Sequence, residues 1–320
     1  MNRLAALLAI MFCVAGCKFI PLYELEGNVV LNIDYQLEQQ VYVREGFDPD
    51  NVASFNEKVH GKMPEEIQVL FYEAETHEIV VNQFMEATGG ALEVPTGRYD
   101  VLVYSLGTRV TGTEGSARSS VLAATEMTTN YKLGSGASTK VITEPDHLYT
   151  ARFEGVTVGP VEDDIHTVTY LDTTARSILD TWTFEMVDVE GLEYIAACEA
   201  FISTQEGREF LWGNREGNQP GSVKMSIRPD FQTGRLYSIF NTFDRYRDYG
   251  QKVKAVLLVT NNGGDEFLFE FDVTDQYDDP DNVGHNIVVS EKLTIPKGQG
   301  GGGGFEPVVD PWWEPEIITN

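Results

Sequence analysis

The residue best placed for covalent chemistry is Cys17, because it stands directly behind an apolar run that ends in small residues. Arg3 gives a positive start, residues 4–15 are apolar, and Gly16 precedes the cysteine. A thiolate is a strong nucleophile, and small residues let the backbone enter a peptidase cleft. The apolar run is too short for a permanent membrane helix, which needs about 20 residues. The segment is therefore predicted to be a secretory signal peptide, residues 1–16, cut after Gly16.

The end of this segment resembles the lipobox of bacterial lipoproteins, in which the cysteine carries a diacylglycerol. The resemblance implies acyl chains such as palmitate on Cys17, with residues 17–26 as a lipid-anchored linker. Several chains on one residue make a stable anchor, whereas a single chain, at about 0.8 kcal/mol per buried CH₂, binds reversibly. A membrane is thus an expected partner through this lipid. The alternative is an ordinary cleaved signal peptide followed by a chance cysteine.

Charge and cysteine content restrict the partners and the disulfide bonds that the chain is expected to have. The chain has 23 basic and 50 acidic residues, a formal charge of -27. Nucleic acid is therefore not an expected partner, and the acidic body repels anionic headgroups. Of three cysteines, Cys13 lies in the leader and Cys17 is the predicted lipid site, which leaves Cys198 without a disulfide partner. Cys198 lies in an apolar run and is predicted to be buried.

Catalytic and metal-binding signatures are missing from the sequence, so no enzyme activity, cofactor or metal is expected. There is no G-x-S-x-G for a serine nucleophile and no H-E-x-x-H for zinc. Residues 134–139 are rich in glycine and serine but lack the Gly-Lys-Ser/Thr ending of a phosphate-binding loop. A cluster of four aspartates could supply oxygen ligands for calcium, but its spacing differs from that of an EF-hand, which favours a solvated turn. The members of that cluster are Asp275, Asp278, Asp279 and Asp281. The histidines are scattered: His60, His77, His147, His166 and His285.

The elements that must carry any site are predicted to be β-strands. Apolar and polar residues alternate in short segments separated by turn residues, which indicates half-buried antiparallel strands. The clearest are residues 97–105, entered through a turn at Pro95, and residues 267–273, with phenylalanines on one side. One short helix is expected near residues 174–179.

Two domains are expected, with a boundary at the acidic break that begins at Gly159 and Pro160. The predicted units are an N-terminal β-sandwich at residues 27–160 and a C-terminal β-sandwich at residues 161–297. Polar stretches at residues 37–64 and 111–139 are predicted to be long loops.

Residues 298–320 differ from the rest of the chain. Six glycines between Lys297 and Gly304 indicate a flexible leash, and three prolines after it prevent a helix. An extended aromatic segment on a leash is suited to pairing with the edge of a sheet. The candidate partner-binding residues are Phe305, Val308, Val309, Trp312, Trp313 and Ile317.

Several dispersed segments together resemble one known family. Besides Cys17, they are Leu92–Tyr99, Trp182–Glu185, Gly191–Ile195, Phe271–Gln276 and Gly301–Phe305 with Trp312. They resemble the fimbrillin-like outer-membrane lipoproteins of Bacteroidetes, the FimB/Mfa-like group of fimbrial anchor and tip subunits. The resemblance implies an all-β fold of two consecutive transthyretin-like or Ig-like antiparallel β-sandwich domains with long loops.

The same resemblance implies a structural or adhesive protein, lipid-anchored at the outer membrane. Its partners would be fimbrial or other envelope protein subunits, joined when an extended strand of one fills a groove in another. The expected role is a fimbrial anchor or accessory subunit. Surface display is expected, but Cys17 is not followed by an acidic export signal, so the periplasmic face stays open.

Two further functions stay open beside this one. A glycan-binding surface lipoprotein would stack sugar rings on Trp312, Trp313, Tyr246 and Tyr249, although docking of the two tryptophans on the chain's own sandwich is the favoured alternative. An enzyme is the least supported class. The segment Asp172-Thr173-Thr174 looks like a short acceptor for O-glycosylation in these bacteria, which makes Thr173 a candidate modification site.

Overall fold

A computed structural model of the chain describes residues 26–37, 39, 41, 58–59, 61–133, 138–159, 168–212, 220–246 and 250–298. Within these ranges the chain is mostly β-strand, with a 3-10 turn at Leu192–Tyr194 and a short helix, α1, at Thr274–Tyr277. The strands are β1 (Glu26–Gln36), β2 (Glu66–Glu73), β3 (Ile79–Glu86), β4 (Gly89–Pro95), β5 (Gly97–Ser105), β6 (Gly112–Glu114), β7 (Leu122–Ala124), β8 (Met127–Lys132), β9 (Ser138–Ile142), β10 (Tyr149–Val158), β11 (Val168–Ser177), β12 (Asp180–Met186), β13 (Val189–Glu190), β14 (Ile195–Glu206), β15 (Arg208–Phe210), β16 (Pro220–Met225), β17 (Arg228–Asp230), β18 (Arg235–Thr242), β19 (Lys254–Asn261), β20 (Glu266–Asp272), β21 (Asn286–Val289) and β22 (Leu293–Thr294).

These strands form five described sheets. A seven-stranded sheet has the order β3-β2-β5-β10-β11-β1-β4, and a six-stranded sheet has the order β20-β19-β14-β16-β9-β8. A four-stranded sheet runs β17-β18-β12-β21, a three-stranded sheet runs β15-β7-β6, and β13 pairs with β22.

The seven-stranded sheet curls around its own core. Its two edge strands, β3 and β4, are joined by the turn at Ala87 and Thr88, and the Tyr35 hydroxyl of β1 donates to the Ala87 carbonyl at 2.8 Å. Edges that meet at one turn require the sheet to bend back on itself. Buried apolar residues from β1, β2, β4, β5, β10 and β11 accordingly share one cluster, which includes Val29, Phe71 and Tyr99.

A second core lies between the four-stranded and six-stranded sheets. It receives Trp182 and Phe184 from β12, Phe240 from β18, Leu257 from β19 and Phe271 from β20. Alternation along each strand sends these side chains to one face, which explains why the two sheets pack against each other.

The three-stranded sheet covers the outer face of β2 and β5. Leu70, Tyr72 and Leu102 pack there against Ala123 of β7 and Trp212, which follows β15. The seven-stranded sheet is thus apolar on both faces along β2 and β5, so these strands read as nearly continuous hydrophobic runs.

The structure confirms the β-rich fold and corrects three expectations. Residues 174–177 continue β11, so the helix expected near residues 174–179 is wrong. Buried Leu171, Ala175 and Leu179 lie four residues apart. Residues at this spacing share one face of a helix and also one face of a strand, so the pattern does not distinguish the two. The second correction is that the alternation predicts antiparallel strands, whereas β1–β11, β9–β16, β12–β21 and β13–β22 pair in parallel.

The third correction concerns the polar stretch at residues 111–139, which carries β6, β7, β8 and the start of β9 in place of a long loop. The stretch at residues 37–64 lies mostly outside the described ranges. Pairing also crosses the boundary expected near residue 160, since β11 joins β1 and β10 while β9 joins β16.

Candidate functional site

Most of the site residues that the sequence predicts lie outside the described residues. This holds for Cys17, for the cleavage position at Gly16 and for the aromatic tail. The tail residues concerned are Phe305, Val308, Val309, Trp312, Trp313 and Ile317. Lipidation, cleavage and tail binding therefore stay predictions.

Thr173 lies in the middle of β11, in register with Ile33 of β1. Its side chain is half-buried, while Asp172 beside it is exposed and accepts a hydrogen bond from Asn32 at 2.7 Å. The three-residue motif therefore lies on a paired strand, and glycosylation at Thr173 stays a prediction.

The point where the tail begins is fixed against the turn between β19 and β20. The Gly298 amide donates to Asn262 Oδ1 at 2.9 Å, and Asn261 Nδ2 donates to the Pro296 carbonyl at 3.1 Å. A Cβ at Gly298 would lie 2.2 Å from the Gly263 nitrogen, so the two backbones are in close contact. The predicted tail therefore starts beside the first residues of β20.

Strand β20 lies at one edge of the six-stranded sheet as described and has a regular backbone. All seven of its residues pair with β19 without a bulge, and no other strand pairs with it in the described part of the chain. Most other sheet ends in that part are shorter or irregular: β6 and β17 have three residues, β21 has four, and the ladders of β3 and β8 contain register shifts. The end strand β4 is as long and regular as β20, but the turn at Ala87 and Thr88 joins it to the other edge of its own sheet. Natural proteins usually protect edge strands by such means.

The side chains of β20 divide by face. Phe267 and Phe269 point inward and are half-buried, with ring centroids 6.4 Å apart. On the outer face Leu268 is 46% exposed, and Glu266 is exposed beside it. The same face presents two further exposed acids, Glu270 and Asp272.

Two lysines, one on β19 and one just before it, form ion pairs with two of these acids. Lys254 Nζ lies 2.7 Å from Glu270, and Lys252 pairs with Asp272. The hydrogen bond from Lys252 lowers the pKa of Asp272 to about 2, with Thr274 also donating to the carboxylate. The edge therefore offers apolar side chains inward and an acidic rim outward.

A cleft of about 490 Å³ lies where the segment of Lys58, the loop at residues 106–110 and Asp146 meet. Several of its polar groups already have structural partners. The Asp146 carboxylate accepts the backbone amide of Thr111 at 2.7 Å and also that of Val110. Lys58 Nζ lies 2.8 Å from Glu144 and donates to the Ile239 carbonyl.

Burial shifts the pKa values of two side chains in this cleft, Glu144 and His147. For Glu144 the direction is upward, although Lys58 opposes the shift. Burial lowers the pKa of His147, whose ring nitrogens lie 2.8 Å from Ser177 Oγ and 3.0 Å from the Lys58 carbonyl. These contacts hold strands of both cores together. We therefore interpret the cleft as a structural contact between the two cores.

A second cleft, of about 510 Å³, is lined by Trp182, Tyr277 and His285. Tyr277 stacks on one side of Trp182 with centroids 4.1 Å apart, and His285 stacks on it at 4.5 Å. Both contacts are nearly parallel, so neither indole face is open to a sugar ring. Of the residues proposed for glycan binding, only Tyr246 is described, and its amide donates to the Thr204 carbonyl.

Cys198 is half-buried on β14, where burial raises the pKa of its thiol to about 12. In the described ranges no group of three or more His, Cys, Asp or Glu side chains could hold a metal ion. The acidic turn near Pro280 uses its carboxylates internally: Asp278 pairs with Arg245, and Asp279 accepts the Asp281 amide. Among the described helices, none has the length and apolar content to cross a membrane.

The chain belongs to the family described as a domain of unknown function, DUF5119, which matches residues 53–224. This match covers more than half of the 320 residues. It places the chain in a family but assigns no activity.

Related proteins agree with the resemblance drawn from the sequence. The chain is 29% identical over 138 residues to Fim4B of Bacteroides ovatus, named as a candidate fimbrium anchoring subunit, covering 43% of this chain and 40% of that protein. The chain therefore matches less than half the length of this relative. The relation to fimbrial proteins of Bacteroidetes expected from the sequence is confirmed.

The chain is also similar to solved structures, one of which supports the fold. A candidate adhesin of Bacteroides ovatus superposes with a TM-score of 0.60 at 16% identity, covering 87% of this chain and 95% of that one. The fimbrial anchor protein Mfa2 of Porphyromonas gingivalis gives a TM-score of 0.46 at 12% identity, covering 78% and 83%.

The free edge of β20 is the feature that sequence reasoning missed. The alternating phenylalanines predicted the strand, but alternation shows only which face of a sheet each side chain lies on. It does not show which strands lie beside it. A signal was present in the unbroken run Phe267-Leu268-Phe269, because β20 carries neither the lysine nor the proline that often protects an edge.

Proposed function

We propose that the chain is a lipid-anchored structural and adhesive protein of the cell envelope. In this proposal it is a fimbrial anchor or accessory subunit that engages partner subunits by β-strand addition. The observation that carries the proposal is the similarity to a protein named as a fimbrium anchoring subunit. The free edge of β20 and the exit of the tail beside it add a physical basis for strand addition.

Attachment is proposed to occur through acyl chains on Cys17 at the outer membrane, with the folded body on the cell surface. The acidic body disfavours electrostatic membrane binding, so the lipid would supply the attachment. The two large cores are proposed to correspond to two consecutive transthyretin-like sandwiches that exchange strands near residue 160. The role is non-enzymatic, in keeping with the names of the relatives.

The anchor is tested by fractionating cells that express the full chain or Cys17→Ser. The native protein is expected in the outer-membrane fraction, with an intact mass that includes the acyl chains. The Cys17→Ser variant is expected to lose this mass and to leave the membrane. A native protein with a free thiol in the soluble fraction would contradict the anchor.

The role in fimbriae is tested by co-purification. Subunits of assembled fimbriae are expected to copurify with the full chain and to be lost when residues 305–320 are replaced by a Gly/Ser segment of equal length. Keeping the length separates the tail's side chains from its reach. Equal recovery with both chains would contradict the assigned role of the tail.

A further inference from the structure

We infer that the outer edge of β20 is an acceptor for an extended strand of another protein, with apolar side chains inward and basic side chains outward. This inference rests on the proposed function, because it assumes strand addition. It adds which edge receives the strand and which side chains the partner carries.

The backbone of β20 is suited to pairing along its whole length. Its seven residues span about 23 Å at 3.3 Å per residue. The ladder to β19 has no register shift, so the groups on the other edge form a regular row. Such a row is a template for another strand unless the protein blocks it.

Side chains on the inner face leave room for apolar groups of a partner. Phe271 is buried in the second core, whereas Phe269 and Phe267 are only half-buried toward the other end of the strand. An added strand would place alternate side chains beside these rings and complete their burial. The inward residues of the partner are therefore apolar.

Charge on the outer face decides among possible occupants. A second copy pairing antiparallel about Phe269 would set Glu266 opposite Asp272 and Leu268 opposite Glu270. Like charges directly opposite each other destabilise a sheet. A second copy is therefore a poor occupant.

The chain's own tail meets the same difficulty, although it starts close by. Residues 298–320 contain four acids and no lysine or arginine. In an extended segment all four acids share one face, since Glu306, Asp310, Glu314 and Glu316 are at even positions. With the apolar face inward, this acidic face would lie beside Glu266 and Glu270. Glu270 and Asp272 are already paired with Lys254 and Lys252, but three acids against two lysines leave this face net acidic. It therefore favours a heterologous strand with outward lysine or arginine.

The test measures binding of a nine-residue peptide of alternating Lys and Val to the full chain by fluorescence anisotropy. A peptide of alternating Glu and Val is the charge control. We expect the Lys-Val peptide to bind at least tenfold more tightly, and hydrogen exchange to slow at residues 266–272. No binding at millimolar peptide, or slowing only elsewhere, would overturn the inference.

Two further comparisons separate strand addition from general attraction to an acidic protein. Versions of the Lys-Val peptide with N-methyl groups on all valines or on all lysines keep the charge but block one hydrogen-bonding edge each. One version is expected to lose binding at least tenfold, and which one it is reports a parallel or antiparallel arrangement. Full binding by both versions would overturn the inference.

Glu266→Lys is expected to weaken binding of the Lys-Val peptide at least threefold. Glu78→Lys, the same charge change at an exposed site on the β2–β3 turn, is the matched control and is expected to change it far less. Equal losses in both variants would overturn the assignment to β20. If the peptide fails to bind while fimbrial subunits still copurify through the tail, only the acceptor edge is lost and the proposed function stands.

Discussion

The seven-stranded and six-stranded sheets treat their edges in opposite ways. The first joins β3 and β4 at one turn, so its edges meet, and the three-stranded sheet covers part of its outer face. The second ends at β20 with a regular strand and half-buried phenylalanines. One region is built to enclose its core, whereas the other leaves pairing capacity open. If β20 receives a partner strand as proposed, this contrast separates a folding role from a binding role within one chain.

The largest expected effect comes from removing a ring from each region. Phe71 is fully buried in the curled sheet, where it meets Tyr99 edge-on with centroids 5.7 Å apart. Phe71→Ala is expected to lower the free energy of unfolding by about 3–5 kcal/mol. Phe269→Ala, at the half-buried edge, is expected to cost about 1–2 kcal/mol. Urea denaturation measures both, and equal costs would remove the contrast between the two regions.

The next effect concerns two glycines in turns, both with positive φ. Gly89 has φ 87° beside the turn that joins β3 and β4, and an added Cβ would lie 2.1 Å from the Leu31 carbonyl oxygen. Gly89→Ala is expected to cost about 3 kcal/mol, from backbone strain and overlap together. Gly264 has φ 85° in the β19–β20 turn with nothing within 4 Å of the added Cβ.

Gly264→Ala is therefore the matched control, and only the left-handed conformation should cost about 1–2 kcal/mol. Thermal unfolding of the two variants compares the sites directly. A Gly264→Ala loss as large as that of Gly89→Ala would mean that closure of the curled sheet is not what makes Gly89 necessary.

Local patterns predict strands well here and their neighbours poorly. Residues 97–105 form β5 as predicted, since Pro95 and Gly97 mark its start and alternate apolar residues follow. The parallel pairing of β9 with β16 joins segments some 80 residues apart, and no short window reports it. For the candidate site, composition alone isolates the tail. The free edge of β20 depends on which strands are absent beside it, which only the assembled sheet reveals.

A third prediction concerns the cover of the curled sheet. Glu209 of β15 pairs across from Ala123, and its Oε2 atom is buried without a hydrogen-bond partner among the described residues. Burial, with Asp244 and Asp180 nearby, raises the pKa of Glu209 from 4.5 to about 8. The folded state thus holds a proton that the unfolded state releases. The stability it contributes is complete below about pH 4.5 and is lost as the pH rises through 8.

Glu209→Gln is therefore expected to raise stability at pH 9 by about 1–2 kcal/mol and to change it little at pH 4. Glu154→Gln, an exposed carboxylate that also acts on Arg152, is the control and should show no such pH dependence. Melting temperatures across this pH range measure the effect. A Glu209→Gln gain that is equal at both pH values would contradict the assignment.

The smallest effect on stability, and the sharpest on the comparison, is expected at the edge itself. Leu268 is 46% exposed and pairs with Leu258 of β19, whose side chain on the same face is 8% exposed. Leu268→Lys should change the free energy of unfolding by less than about 0.5 kcal/mol, whereas Leu258→Lys should cost several times more.

A lysine on the edge is a natural means of preventing strand addition. Leu268→Lys should therefore weaken capture of the Lys-Val peptide while leaving urea denaturation unchanged, because the edge contributes to binding and little to folding. Loss of stability in parallel with loss of binding would show that β20 is part of the core it borders.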